Sequence, residues 1–197
     1  MQKIRPESVI LGRDPAVLQS LLDFYVVPTA RSLDVTCNAR RMWHGVVHPG
    51  PRVFMDIDPL QQPDVVGDFR ALPFADATFD VIVFDPPHLP AAAATPASHP
   101  QMVSDYGLRL APVADNVSAL FTPFLHEAAR VLRDDGLIFA KLKDYVHNHR
   151  YQWTLVDFIS AVRAVPELTA CDLTIKRDPC GGNLKSGRWT HRSEERR

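Results

Sequence analysis

The residues best suited to chemistry stand at 85–88. Phe79-Asp80-Val81-Ile82-Val83-Phe84 reads as a buried strand that runs straight into Asp85-Pro86-Pro87-His88. Each proline removes a backbone donor, fixes its own φ and biases the preceding residue towards extended geometry. Asp85, Pro86 and Pro87 are therefore expected to form a rigid, solvent-facing platform at the strand end. A carboxylate held in that way can accept hydrogen bonds from a fixed direction. Two more acids end apolar runs upstream: Asp34 in Ser32-Leu33-Asp34-Val35-Thr36 and Asp56 in Val53-Phe54-Met55-Asp56-Ile57-Asp58. Asp56 follows Asp34 by 22 positions (56 − 34). At that spacing in doubly wound nucleotide sites, an acid accepts two hydrogen bonds from ribose hydroxyls. Asp56 is thus the expected ribose ligand, with Ile57 packing on the base. Asp58 either shares the role or caps the turn before Pro59.

Positioning those acids requires a particular scaffold. The chain has 197 residues, 46% of them hydrophobic, enough for one domain with a substantial core. Residues 1–180 are read as that domain and 181–197 as a flexible basic arm. Strands alternating with helices predict an α/β fold, a Rossmann-like doubly wound, mostly parallel sheet of six to seven strands with helices on both faces. Residues 1–12 carry no pattern. Arg13-Asp14-Pro15 looks like a helix start, Asp14 as N-cap and Pro15 at the first helical position, followed by Val17, Leu18, Leu21, Leu22 and Tyr25 at helical spacing. After the first strand, 32–36, the turn Cys37-Asn38-Ala39-Arg40 leads to a predicted helix from Arg41. No glycine lies between Arg31 and His44, where a nicotinamide-binding fold would want Gly-x-Gly-x-x-Gly. Asn38 tolerates left-handed backbone geometry and can replace one glycine, and Ala39 is small enough for close approach.

Further along, 64–69 reads as a third strand. Val117, Leu120, Phe121, Phe124, Leu125, Ala128 and Leu132 recur at helical spacing, with Pro123 implying a kink or a fresh start capped by Thr122. Asp134-Asp135-Gly136 closes that helix, 137–141 is the fifth strand, 154–165 a helix and 172–176 a sixth strand. The formal net charge is −1, so any nucleic-acid contact must come from local basic patches. The three cysteines, Cys37, Cys171 and Cys180, lack Cys-x-x-Cys spacing, which argues against a disulfide framework or a zinc site and fits a reducing cytoplasm. His147-x-His149 is read as a solvated or phosphate-facing loop in preference to a metal site. No stretch approaches a membrane span, and residues 1–10 have no apolar segment of the signal-peptide type.

Asp85-Pro86-Pro87-His88 behind a buried strand resembles the (Asp/Asn/Ser)-Pro-Pro-aromatic signature of S-adenosylmethionine-dependent methyltransferases that modify exocyclic or amide nitrogens, chiefly adenine-N6 and cytosine-N4 of nucleic acid. The resemblance extends over most of the chain. A helix opening with Pro15 and carrying Leu21-Leu22 precedes the first strand, and Gly67-Asp68 followed by Ala71-Leu72-Pro73-Phe74 looks like the family segment whose acid bonds the adenine amino group of the cofactor. It implies S-adenosylmethionine as cofactor, leaving as S-adenosylhomocysteine, with no metal. The implied cofactor residues are Asp34, Thr36, Cys37, Asn38, Asp56, Ile57, Asp68, Phe69 and Asp85. The implied catalytic residues are Asp85, Pro86, Pro87 and His88, with the Asp85 carboxylate and Pro86 carbonyl accepting amino hydrogen bonds and His88 stacking on the base. The sequence departs from the family in its glycine-free first turn, in His88 where Tyr, Phe or Trp is usual, and in lacking a final aromatic-rich strand.

The substrate side is expected to lie between 89 and 116, a lid of which 91–99 reads equally well as a low-complexity insertion. Tyr106 and Arg109 are candidates for base stacking and phosphate contact. Lys141, Lys143, His147, His149 and Arg150 form a basic rim, with Lys143 and, in the arm, Arg188 as substrate ligands. No separate recognition domain is apparent, so specificity for DNA or RNA falls to the lid, the arm, a partner subunit or a second copy of the chain. Two other readings stay open: a nitrogen of a protein or small molecule as acceptor, and a non-catalytic relative that binds nucleic acid or a partner.

Overall fold

The computed structural model describes residues 7–87, 117–147 (without the side chain of His147) and 150–177. The expected lid with His88, Tyr106 and Arg109, the arm with Arg188, and Cys180 and His149 lie outside the described residues. Five strands make the central sheet: β2 (Ser32–Asp34), β3 (Arg52–Asp56), β4 (Val65–Val66), β5 (Phe79–Phe84) and β6 (Leu132–Ala140), in the order β4-β3-β2-β5-β6. Every pairing is parallel. From the central β2 the chain steps outward through β3 to β4, then returns to the other side of β2 as β5 and β6. This is the doubly wound Rossmann-like order, and its reversal beside β2 opens a crevice at the carboxyl ends of the strands.

Alternation along β5 decides what covers each face. Val81 and Val83 pack with Leu18, Leu22 and Val26 of the α1 region (α1, Asp14–Tyr25) and with Trp43. Ile82 and Phe84 pack with α2 (Phe121–Val131) and α3 (Thr154–Arg163). Helices therefore lie on both faces, as period-2 patterning of a doubly buried strand requires. On α2, Phe121, Phe124, Leu125, Ala128 and Val131 are all fully buried, the i, i+3, i+4, i+7, i+10 stripe of a core-facing helix. Phe84 stacks on Phe124 at 3.8 Å between ring centroids, one step before Asp85.

The fold class is as expected, and among the described residues the main sheet has five strands, roughly consistent with the six to seven expected. Several other expectations need correction. The predicted sixth strand is β9 (Ile175–Arg177), which pairs in parallel with β1 (Val9–Leu11) as a separate two-stranded sheet, so residues 9–11, which carry no sequence pattern, have a partner 166 positions away (175 − 9). Asp14 is not the N-cap of α1. Arg13 takes that position without a side-chain cap bond, because the Asp14 carboxylate is drawn to Lys141 and Lys176. Thr122 does not cap α2, which follows directly on a 3-10 turn at Val117–Leu120. Pro123 sits in the first helical turn, where its missing N–H has no intrahelical partner to lose. The helix predicted from Arg41 is one 3-10 turn, Arg41–Trp43; the chain leaves helical geometry at His44, with ψ 108°, and at Gly45, with φ 80°. Asp134, Asp135 and Gly136 lie within a bulge of β6, where partners jump from Phe79↔Leu132 to Val81↔Leu137. Two short strands, β7 (Tyr145–His147) and β8 (Arg150–Gln152), pair antiparallel; the loop expected at His147-x-His149 falls mostly outside the described residues. Among the described residues no helix is long and apolar enough to cross a membrane.

Truncating Phe124 to Ala removes a fully buried ring from the stack beneath the Asp85 turn. Urea unfolding of Phe124→Ala should show a loss of about 3–5 kcal/mol, the usual cost of emptying such a site.

Candidate active site

The crevice at the carboxyl ends of β2, β3 and β5 is a cleft open to solvent. Thr36, Asn38, Asp56 and Ile57 line one part of it; Asp68, Phe69, Asp85 and Pro87 line another, with Val35 and Leu120 completing the wall. Strand register explains the gathering. Asp34 of β2 pairs with Phe54 of β3 and Val83 of β5, so the residues that follow each of these emerge side by side.

The first turn is built without glycine. Asn38 has φ 46° and Arg40 φ 55°, the left-handed region that Asn tolerates because its short amide can bond locally. Here Asn38 Nδ2 donates to Thr36 O at 2.7 Å, and Asn38 N–H donates to Asp56 Oδ2 at 2.8 Å. Asp56 Oδ1 accepts from Asp58 N–H at 3.0 Å, so Asp56 ties the first turn to the end of β3 while bordering the cleft. Burial pushes the Asp56 carboxyl above its ordinary value, against the pull of those N–H donors. Asp58 caps the turn after it through Leu60 N–H at 3.0 Å. Gly67 has a packing role: a Cβ there would meet Met55 Sδ at 3.0 Å.

Asp68 reaches the cleft already engaged. Arg70 grips both its oxygens at 2.6–3.0 Å and holds the carboxyl low although burial alone would raise it. Phe69 meets Phe84 and Phe124 edge-on, with centroids at 5.2 and 5.9 Å. The segment from Leu72 to Thr78 is clamped to α2. Arg130 donates to Glu127, Leu72 O, Phe74 O and Asp76, using all five N–H groups, and Glu127 accepts Leu72 N–H at 2.7 Å.

Four of the described sequence-derived residues do not line the cleft. Asp34 lies beneath it, 3% exposed, accepting from Trp43 Nε1–H at 2.8 Å and Thr36 N–H at 3.0 Å. Burial raises its pKa to about 7; the two donors oppose that, and Asp85 and Asp56 nearby add to it. Cys37 is buried, its thiol pushed up to about 12 first by burial and then by Asp34 and Asp56, which leaves it inert as a nucleophile. Pro86 is buried as well. Lys143 is exposed on the segment after β6 and does not border the cleft. The Asp85 turn is not solvent-facing as expected: Asp85 is 9% exposed, its N–H donates to Thr36 Oγ1 at 2.8 Å, and its Oδ2 accepts from Lys141 Nζ at 2.9 Å. Only Pro87 of the three is partly open.

Sequence reasoning placed Lys141 on a rim and missed that it meets Asp85. The available signal was symmetry: each is the first charged residue after an apolar strand, and the strands are neighbours. Trp43, whose indole satisfies Asp34, carried no signal. Among the described residues no group of three or more His, Cys, Asp or Glu is placed to hold a metal.

No protein-family model matches the chain, and no curated protein matches its sequence. Solved structures resemble it distantly. The PH0226 protein of Pyrococcus horikoshii is 21% identical with a TM-score of 0.44, over 66% of this chain and 56% of that one. A TehB-like SAM-dependent methyltransferase of Corynebacterium glutamicum is 16% identical with a TM-score of 0.43, over 75% and 71%. The 1,6-didemethyltoxoflavin-N1-methyltransferase of Burkholderia thailandensis, with bound S-adenosylhomocysteine, is 15% identical with a TM-score of 0.43, over 77% and 64%. The chain spans little more than half the length of the Pyrococcus structure. The strand order β4-β3-β2-β5-β6 itself defines the fold.

The folded protein keeps a proton on Asp34 up to about pH 7, while the unfolded chain releases it near the ordinary 3.8. The folded state thus binds more protons between those limits, and stability contributed by this group falls as pH rises through them. Urea midpoints taken across pH 4–7 should decline less steeply in Asp34→Asn than in the parent protein.

Proposed function

We propose that this protein is an S-adenosylmethionine-dependent N-methyltransferase, with an exocyclic amino group of a nucleic-acid base, adenine N6 foremost, as acceptor. The observation that carries this reading is the single cleft bordered by both the Asp56 turn and the Asp85-Pro86-Pro87 turn. The residues present fit the cofactor. Asp56 uses one lone pair on each oxygen for backbone N–H groups and keeps others for ribose hydroxyls. Ile57 and Phe69 offer apolar walls to a purine, Asp68 borders the same wall as an acceptor for its amino group, and the left-handed Asn38 allows the backbone to approach.

When bound, S-adenosylmethionine supplies an electrophilic methyl group on a cationic sulfur. The chain's work is then to orient the acceptor. Asp85 and the Pro86 carbonyl take the two amino hydrogens and turn the nitrogen lone pair towards the methyl, in line with the S–C bond. An acceptor nitrogen methylated there would carry positive charge beside Asp85 until it lost a proton to water. Fixed acceptors around the nitrogen need no rearrangement as that charge develops. His88 completes the base platform in this reading, Tyr106, Arg109, Lys143 and Arg188 contact the nucleic acid, and residues 89–116 act as the lid. A base in a duplex would have to be flipped out, at a cost of a few kcal/mol that a single strand avoids. A cytoplasmic setting belongs to the same reading, since Cys37 and Cys171 are free thiols. A specific observation favours a second acceptor class: among the described residues none that lines the cleft is basic, and the net charge is −1, which suits a nitrogen on a protein or small molecule.

Incubation with labelled S-adenosylmethionine and separate DNA, RNA and protein pools decides among acceptors. Label in nucleic acid supports the first reading; label only in protein or small molecules selects the second. Asp85→Ala should abolish transfer while leaving cofactor affinity within a few-fold, and unchanged turnover would refute its role. Asp56→Ala should weaken cofactor binding in calorimetry by about 1–3 kcal/mol, the cost of leaving polar partners unpaired; an unaltered dissociation constant would move the ribose site elsewhere.

A further inference from the structure

Four charged side chains of alternating sign run from the cleft to the edge of the molecule. Asp85 Oδ2 accepts from Lys141 Nζ at 2.9 Å, the same ammonium donates to Asp14 Oδ2 at 3.1 Å, and Asp14 Oδ1 accepts from Lys176 Nζ at 2.5 Å. They come from four different elements. Asp85 follows β5, Lys141 follows β6, Asp14 opens α1 and Lys176 is the middle residue of β9. The placement of the first two is a matter of register: Phe84 pairs with Ala140, and Lys141 N–H donates to Phe84 O at 2.8 Å, so Lys141 stands beside Asp85. Side-chain exposures are 12% for Asp85, 26% for Lys141, 27% for Asp14 and 31% for Lys176. Charges so enclosed are screened less than surface pairs and influence one another over longer distances. The two lysines hold the Asp14 carboxyl low although burial opposes it.

We propose that Lys141 is a positioning residue that orients the Asp85 carboxylate and sets the charge it presents to the cleft, and that Asp14 and Lys176 tune Lys141 in turn. The inference rests on the methyltransferase reading for its ligand. The free site then holds Asp85 compensated, and Lys141, shared between two carboxylates, compensates it only in part. A cation in the cleft meets a residual negative charge whose size depends on α1 and β9, neither of which contributes a cleft-lining residue. Loss of Asp14 would shift Lys141 towards Asp85 and reduce that charge. Loss of Lys141 would raise it. Loss of Lys176 would strengthen Asp14 as a competitor for Lys141 and so raise it by less.

S-adenosylmethionine and S-adenosylhomocysteine report this charge without any acceptor, because one carries a sulfonium and the other a neutral thioether. Calorimetric dissociation constants for both ligands should be measured on the full-length chain and on Lys141→Met, Lys141→Arg, Asp14→Asn and Lys176→Met. The preference for the sulfonium should rise about three- to tenfold in Lys141→Met and fall by a similar factor in Asp14→Asn, as expected for one partly screened charge. Lys176→Met should move it upward by a smaller factor, and Lys141→Arg should restore the parent ratio. Ratios that stay at the parent value in Lys141→Met, or in both Asp14→Asn and Lys176→Met, overturn the proposal. Should neither ligand bind the parent protein, the cofactor reading fails, and the row is judged by a double-mutant cycle in urea with Asp85→Asn and Asp14→Asn. Effects on the unfolding equilibrium that depart from additivity by more than about threefold support a shared Lys141, and additive effects overturn it.

Discussion

Parallel pairing of β2, β3 and β5 in fixed register brings Asp34, Asp56 and Asp85 to one edge of the sheet, and the rest of the site is organised by how each of these acids is tolerated. Like charges in a partly dry cleft repel strongly enough to shift protonation or pull the elements apart. Each is met differently. Asp34, beneath the floor, retains a proton to about pH 7 and receives the Trp43 and Thr36 N–H groups. Asp56 receives two backbone N–H groups, and Asp85 faces the Lys141 ammonium. The acids facing the cleft are therefore held in fixed geometry by donors from neighbouring elements.

The apolar core transmits the same constraint. Phe84 is stacked on Phe124 of α2, and Phe69 meets both rings edge-on. The opposite end of α2 carries Glu127 and Arg130, which bind the backbone of the segment after Phe69. One helix thus fixes the strand that ends in Asp85 and the loop that carries Asp68 and Phe69. Because an arginine with all five donors used is costly to detach, the segment that follows Asp68 and Phe69 is held against α2.

Much of this was legible in the sequence because it is written in local patterns. An apolar run ending in acid and prolines identifies β5 and its turn, the 22-position step from Asp34 identifies Asp56, and the stripe from Phe121 to Val131 identifies α2. Eight of the residues singled out from sequence line the cleft. What escaped is non-local. The pairing of β1 with β9 joins opposite ends of the described chain and leaves no periodic trace in three-residue strands. Asp14 looked like a cap because Asp before Pro is a good helix start, yet two lysines from distant strands outbid the local N–H groups for its carboxylate. The helix expected from Arg41 failed for a local reason that could have been weighed more heavily, the glycine at 45, which takes a positive φ.

The glycine-free first turn bears on how such a cleft can work. Glycines there give the backbone freedom to approach a ligand, and that freedom must be lost on binding. Asn38 and Arg40 reach the same left-handed region with side chains attached, at a conformational cost that the Asn38 bonds to Thr36 O and Asp56 offset. The turn is therefore set before any ligand arrives. A site whose cradle is already ordered loses less entropy when it binds, so substituting glycine at Asn38 would remove strain from the free protein and still weaken binding, because the order now supplied by Asn38 would have to be supplied by the ligand.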